Sequence, residues 1–170
     1  MAGNTNIPAT PSDGNLAVNI VPAIADPEAP TVAELTAAGV EDISCYLTGD
    51  GWNPSREQAS ISDTRLCTTQ DYEAPGRKTN ALEVTYIDNT NSEFSATNAA
   101  ADTLIEGSHH FMVVRRGLAF DAPFEAGQKV EVWPVTAGMK RMVAPEANSM
   151  IRTVQKLFVT GDVAEATVAA

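Results

Sequence analysis

The clearest pattern in the chain is Thr79–Ile87, where Leu82, Val84 and Tyr86 alternate with Glu83 and Thr85. Apolar side chains two residues apart share one face of an extended strand, so this run predicts a half-buried β-strand. Ile43-Ser44-Cys45-Tyr46-Leu47 alternates likewise and predicts a strand upstream. Between them, Thr48-Gly49-Asp50-Gly51-Trp52-Asn53-Pro54-Ser55 is dense in turn residues. It predicts a long irregular loop, running to Arg56, that carries an exposed indole. Extended structure resumes over Ala59–Cys67, and Pro75-Gly76-Arg77-Lys78 predicts a further turn. Asp42 to Ile87 thus reads as a sheet supporting a projecting loop without a catalytic motif, which points to assembly rather than chemistry.

The rest of the pattern surrounds this centre. Leu16–Val21 predicts a short strand inside residues 1–30, which otherwise read as an extended N-terminal arm. Pro8, Pro11, Pro22, Pro27 and Pro30 there lack the N–H that a ladder needs. Thr31-Val32-Ala33-Glu34 is a capping box, and with Gly39 as a left-handed stop it predicts a helix over about 32–38. A second, flanking helix is predicted over about 91–106, capped by Asn91 or Ser95 and ended by Gly107. Phe111–Arg116 and Lys129–Val135 predict strands, with Pro134 marking an edge or a bulge. Gly138–Ser149 reads as a loop. Met150–Thr160 predicts a long strand covered on both faces, with Leu157 on one and Phe158 on the other. Residues 164–170 form an alanine-rich C-terminal tail, expected to fray or to dock on a neighbour. The fold class that follows is mainly β: one domain over 31–163, a β-sandwich or barrel with a flanking helix.

Charge narrows the functions available. The formal net charge is −11, and no Lys or Arg precedes Arg56. Gripping nucleic acid requires cations against phosphates, so direct binding is disfavoured. From charge alone, ordinary acidic solubility is the first reading; the same charge also suits a wall that DNA slides past, since attraction would act as friction. No positive n-region with an apolar core opens the chain and no long apolar run follows, so neither a signal peptide nor a membrane span is expected; the chain is expected to be made in a cytoplasm. Cys45 and Cys67 lie on neighbouring predicted strands, where a disulfide is conceivable. Cytoplasmic folding favours buried free thiols instead.

Candidate chemistry is sparse. His109 and His110 are adjacent, so on a strand they point to opposite faces and do not share a metal. Gly49-Asp50-Gly51 lacks the G-K-[ST] ending of a phosphate loop. Asp50, Asn53 and Glu57 are too few for calcium. No nucleophile elbow exists, so no enzyme, cofactor or metal is expected. The basic doublets Arg77-Lys78, Arg115-Arg116 and Lys140-Arg141 are candidates for salt bridges between subunits.

Three stretches, taken together, resemble a known family. They are Leu47–Pro54 leading to Ser62–Cys67; Pro75–Thr79 before Val84-Thr85-Tyr86; and Glu146-Ala147-Asn148-Ser149 running into Gln155–Val163. This set resembles the major tail (tail tube) proteins of long-tailed, non-contractile bacteriophages, especially those of actinobacterial hosts. The resemblance implies a tail-tube β-sandwich assembling as hexameric rings, stacked into the virion tube through which genomic DNA leaves the capsid without specific binding. The partners it implies are sibling copies and other tail proteins such as tape measure and tail terminator, with no membrane. It places Thr48, Gly49, Asp50, Gly51, Trp52, Asn53, Pro54 and Arg56 where a loop bridges rings. Glu83 and Glu131 alternate with apolar neighbours and are candidates for the lumen wall. The competing expectation is a monomeric β-sandwich binding module anchored by Trp52. On the tube expectation, deleting residues 50–55 leaves the fold intact and stops stacking.

Overall fold

A computed structural model describes residues 7–170; residues 1–6 of the expected N-terminal arm lie outside the described region. The chain is mainly β, as the alternation predicts. Its strands are β1 (Leu16–Val21), β2 (Glu41–Asp42), β3 (Leu47–Asp63), β4 (Tyr72–Ile87), β5 (His109–Arg116), β6 (Lys129–Met142), β7 (Arg152–Val159) and β8 (Ala164–Thr167). They form one antiparallel sheet in the order β2-β1-β5-β6-β7-β4-β3, with β8 also on β6. Two short helices accompany it, α1 (Val32–Leu35) and α2 (Ala99–Thr103).

The edge strands β2 and β3 are consecutive in the chain, joined only by Ile43–Tyr46. A flat seven-strand path would set its edges roughly 29 Å apart at about 4.8 Å per strand. Five residue steps from Asp42 to Leu47 span at most about 18 Å. The sheet must therefore curl, and it forms a half-barrel. The connector is bonded to both sides: Ile43 N–H donates to the Val18 carbonyl of β1, and Ile87 N–H of β4 donates to the Tyr46 carbonyl. This is why, of Ile43–Leu47, expected as a strand, Ile43–Tyr46 is a turn and only Leu47 is extended, as the first residue of β3. The connector's polar groups are used in stitching the curl rather than in a ladder.

The concave face holds the main core. Val18, Ile20, Leu82, Val84, Tyr86, Met112, Trp133, Val135 and Leu157 meet there beneath Ala100, Ala101 and Leu104 of the α2 segment. The convex face is covered only around β1, β5, β6 and β8, where Val21, Val113, Val130, Val132 and Ala166 pack against Ile24, Leu35 and Val168. Over β7 and β4 the convex face is open. Phe158 is 52% exposed, so the expected cover on both faces of this strand is absent. The C-terminal segment does not fray. Ala166 and Val168 are buried, and Ala169 bridges back to Thr31.

A buried polar knot fixes the curl. The Tyr86 hydroxyl donates to Gln155 Oε1 at 2.8 Å, and Gln155 Nε2 donates to the carbonyls of Gly138 at 2.7 Å and Leu104 at 3.1 Å. One side chain thus joins β4, β6, β7 and the end of α2. Burial, aided by the Asp88 charge, raises the Tyr86 phenol so that it stays a donor.

Three glycines sit at the three register shifts of the sheet. A Cβ on Gly51 would lie 2.2 Å from the Thr85 carbonyl oxygen, one on Gly76 2.8 Å from that of Ala59, and one on Gly138 2.6 Å from that of Lys156. Bulges bring backbone this close only where no side chain intervenes. These glycines were expected to mark loops and turns. Pro75–Lys78 is instead part of β4, and Gly138–Met142 continues β6. Pro134 lies opposite the junction of β7 and β8, where its carbonyl accepts from Thr160 N–H and no donor is required of it.

The capping box at Thr31 and Glu34 forms as expected, and hydrogen bonds from the Thr31 and Ala25 backbone hold the Glu34 carboxyl below its ordinary value. Helix α1 is shorter than predicted, ending at Thr36 before Gly39 (φ +93°). The helix expected over 91–106 shrinks to five residues. Asp88, Ser92 and Asn98 bond nearby backbone N–H groups, and Asn91 turns left-handed at φ +64°. Such local bonds compete with helix.

Gln155→Ala strands three buried polar groups and is expected to cost about 3 kcal/mol or more. Tyr86→Phe is expected to cost about 1 kcal/mol. Urea unfolding of the two variants checks the order; equal, small losses would show that the knot does not hold the curl.

Candidate functional site

The feature that the fold leaves without a role is the far half of the β3–β4 hairpin. Strand β4 pairs with β7 only from Leu82 onward, so beyond this point β3 and β4 have only each other. Residues 53–62 are exposed throughout, and so are most residues of 71–81. The result is a two-stranded ribbon that projects past the sheet and turns at 64–71. Both outer backbone edges and both faces are open. Its tip is ordered locally: the Arg65 guanidinium donates twice to Asp63, at 2.7 Å and 3.0 Å, and Thr68 Oγ1 donates to the Gln70 carbonyl. Ile61, Leu66 and Tyr72 stand exposed around it.

The predicted bridging loop, Thr48–Arg56, is the base of this ribbon rather than its projection. Thr48 Oγ1 donates to Asp50 Oδ1, and Gly49 begins the bulge that Gly51 completes. Trp52 is no exposed anchor: it packs edge-on against the buried Trp133, ring centroids 6.2 Å apart. Asn53, Pro54 and Arg56 enter the exposed ribbon, with Arg56 donating to Glu165 of β8 at 2.8 Å. Deleting 50–55 would therefore tear Trp52 from the core and shift the hairpin register, so the expected intact fold is not what the geometry supports. The signal missed in the sequence is the polar run Thr68-Thr69-Gln70-Asp71, where the hairpin turns.

The basic doublets divide. Arg77 and Lys78 are exposed on the ribbon. Arg115 is buried, 1% exposed, and its guanidinium donates to the carbonyls of Ala119 at 2.8 Å and Pro123 at 3.0 Å while lying 4.8 Å over the Phe124 ring. It holds the 117–128 loop, and burial lowers its affinity for the proton. Arg116 is exposed and paired with Glu131. Lys140 donates to the Ala101 carbonyl, and Arg141 lies 3.5 Å from Glu83.

The two candidate lumen carboxylates lie on opposite faces of the sheet. Glu131 pairs in register with Val114 on the concave side and accepts from Trp133 Nε1. Glu83 lies on the open convex face opposite Lys156, which it shares with Arg141 and Arg152. They cannot line one surface together.

His109 and His110 point to opposite faces as expected, bonded to Thr136 and Ser108 respectively. Burial, foremost, lowers the His110 imidazole. Cys45 and Cys67 are free and both exposed, against the expectation of buried thiols, because their segments are a turn and the ribbon tip. No cluster of metal-ligating side chains exists among the described residues.

The profile of a family described as phage tail tube protein matches residues 4–170. No curated protein matches the chain significantly. Among solved structures, the chain is similar in fold to a chain in the cryo-EM structure of the anti-feeding prophage baseplate, 6-fold symmetrised. The TM-score is 0.54 at 11% identity, covering 94% of this chain and 95% of that one.

Brief trypsin treatment of the unassembled chain is expected to cut first after Arg65, leaving two fragments held together by the sheet. Mass spectrometry of the early products checks this. First cleavage after Arg116 or Lys129, at the ends of the 117–128 loop, would contradict the exposure of the tip.

Proposed function

The chain belongs to the phage tail tube protein family, and on that premise we propose that it assembles as stacked rings into the tube of a virion tail. The observation that carries this reading is the ribbon of residues 54–81, whose outer strand edges pair with no other strand of the chain and whose faces are exposed apart from the Arg56–Glu165 pair at its base. An isolated two-stranded ribbon is marginal in water. A role between copies accounts for its length, because a neighbour can cover what the chain itself leaves open. A head-to-tail contact that closes by rotation gives a ring, and a second surface used along the axis gives a filament. Six-fold rings agree with the symmetry of the baseplate structure to which the fold is similar.

The ribbon is the element we assign to bridging rings, displacing the shorter Thr48–Arg56 segment to its base. Arg77 and Lys78, exposed on it, are positioned to set register against carboxylates of a sibling copy. DNA leaving the capsid passes through the channel without adhesion, consistent with −11 charges per copy. Tape measure and tail terminator proteins complete the tail, in a virion assembled in the host cytoplasm. The protein is structural and does no chemistry. The alternative of a monomeric binding module loses its anchor, since Trp52 is packed on Trp133.

Concentrated protein is expected to form rings or tubes by negative-stain microscopy. Replacing residues 58–78 with a two-residue Asn-Gly turn, which keeps Glu57 opposite Thr79, is expected to keep the monomer folded, with a melting temperature within a few degrees, and to abolish stacking. Tubes of normal length from this variant would remove the ribbon from the account.

A further inference from the structure

Two neighbouring segments of this protein carry carboxylates and no cation. Residues 22–42 hold Asp26, Glu28, Glu34, Glu41 and Asp42, and residues 117–128 hold Asp121 and Glu125. Neither segment contains Lys or Arg. A cleft of about 270 Å³ lies between them. Val40, Phe120 and Phe124 give it apolar walls, and Asn19, Asp42 and Asp121 supply acceptors.

The acceptors are not used up within the chain. Asn19 and Asp42 are register partners on β1 and β2, so their side chains share one face. Asp42 Oδ1 accepts from the Ser44 N–H and hydroxyl, which leaves Oδ2 free. Asn19 is only 8% exposed, and its Oδ1 has no partner among the described residues. A buried acceptor left unpaired is costly. The amide can turn about its soft terminal torsion to meet a donor that enters the cleft. Arg115 lies near Asp42 and Asp121, but its guanidinium is bonded to the carbonyls of Pro123 and Ala119 and offsets one charge of the seven.

Apolar walls with acceptors suit a long aliphatic stem that ends in a cation. Two carboxylates and an amide are too few oxygens for calcium. The ribbon offers such a stem. Lys78 is exposed, stands opposite the neutral Gln58, and forms no ion pair among the described residues. It projects with the ribbon past the sheet, whereas Lys156 lies on β7, flanked by β4 and β6.

We propose that the cleft between α1, β2 and the 117–128 loop is the receptor for Lys78 of a second copy, with its ammonium on Asp42 and Asp121 and its stem along Val40 and Phe120. This deepens the tube reading and rests on it, since it names the carboxylates against which the ribbon sets register. A head-to-tail contact needs two different, complementary surfaces on one chain. Here a projecting cation meets a concave, anionic receptor. One such pair contributes little by itself. A ring presents several at once, so the contact strengthens only when rings form.

Carbodiimide joins an amine to a carboxylate in contact with it. Treatment of assembled tubes is expected to link Lys78 to Asp42 or Asp121, read by mass spectrometry of the digested product, and the dispersed chain is expected to give no such link. Lys78→Glu is expected to leave the melting temperature of the dispersed chain unchanged and to raise the concentration needed for tubes by about ten-fold or more. Lys78→Arg, which keeps the charge, is expected to assemble within about two-fold of the native chain. Tubes without the link, a link formed equally in the dispersed chain, or unimpaired assembly of Lys78→Glu would each overturn the receptor while leaving the tube intact. Links to Asp42 and Asp121 from another lysine in place of Lys78 would overturn it too. A native chain that never assembles would remove the tube reading, and this inference with it.

Discussion

Four residues, Ile43–Tyr46, determine the shape of this molecule. They join the two edges of its sheet, and a connector that short is incompatible with a flat sheet. Curling follows, and with it a concave face that Trp133, Tyr86 and Leu157 can fill. The connector's own hydrogen bonds to β1 and β4 replace the ladder bonds that a longer edge strand would have made. The Gln155 knot then locks the far wall of the curl from inside.

The curl has a remainder. Strand β7 ends at Val159 and pairs with β4 no further than Leu82, while β3 and β4 run on. The overshoot is a ribbon with open edges, the element that usually invites uncontrolled pairing. Its composition blunts that hazard: Pro54 and Pro75 remove donors, and Arg56, Glu57, Arg77 and Lys78 place charge along it. Only the tip is apolar. A ribbon built this way resists indiscriminate addition while leaving its tip free for a specific contact, which is what ordered stacking of identical copies requires.

The sequence made the inner walls legible. Alternation located the end of β4, because one-sided burial imposes a period of two on Leu82, Val84 and Tyr86, while short apolar runs located β1 and β5, which are buried on both faces. The capping box located α1, because its bonds are local. The ribbon was illegible for the opposite reason: exposed on both faces, it has no hydrophobic period, and Ser55–Asp63 shows none. Its glycines and prolines then pointed the wrong way. Gly51, Gly76 and Gly138 mark bulges within strands, which depend on where a partner's carbonyl lies and not on neighbours in the chain. The family likeness was carried by Leu47–Pro54 and Pro75–Thr79, segments that now fall on the base and bulge of the ribbon. Arg115 was misread because a buried arginine serving backbone carbonyls looks, in sequence, like any surface doublet.

The account comes down to backbone groups that are unpartnered in one copy and partnered in many. Hydrogen–deuterium exchange on residues 54–63 and 72–81, compared between the dispersed chain and assembled tubes, addresses this directly. The account predicts fast exchange of the outward-facing amides when dispersed and protection of at least a hundred-fold in tubes, with the amides of β1 and β5 unchanged. Ribbon amides already protected in the lone chain, or still unprotected in tubes, would contradict it.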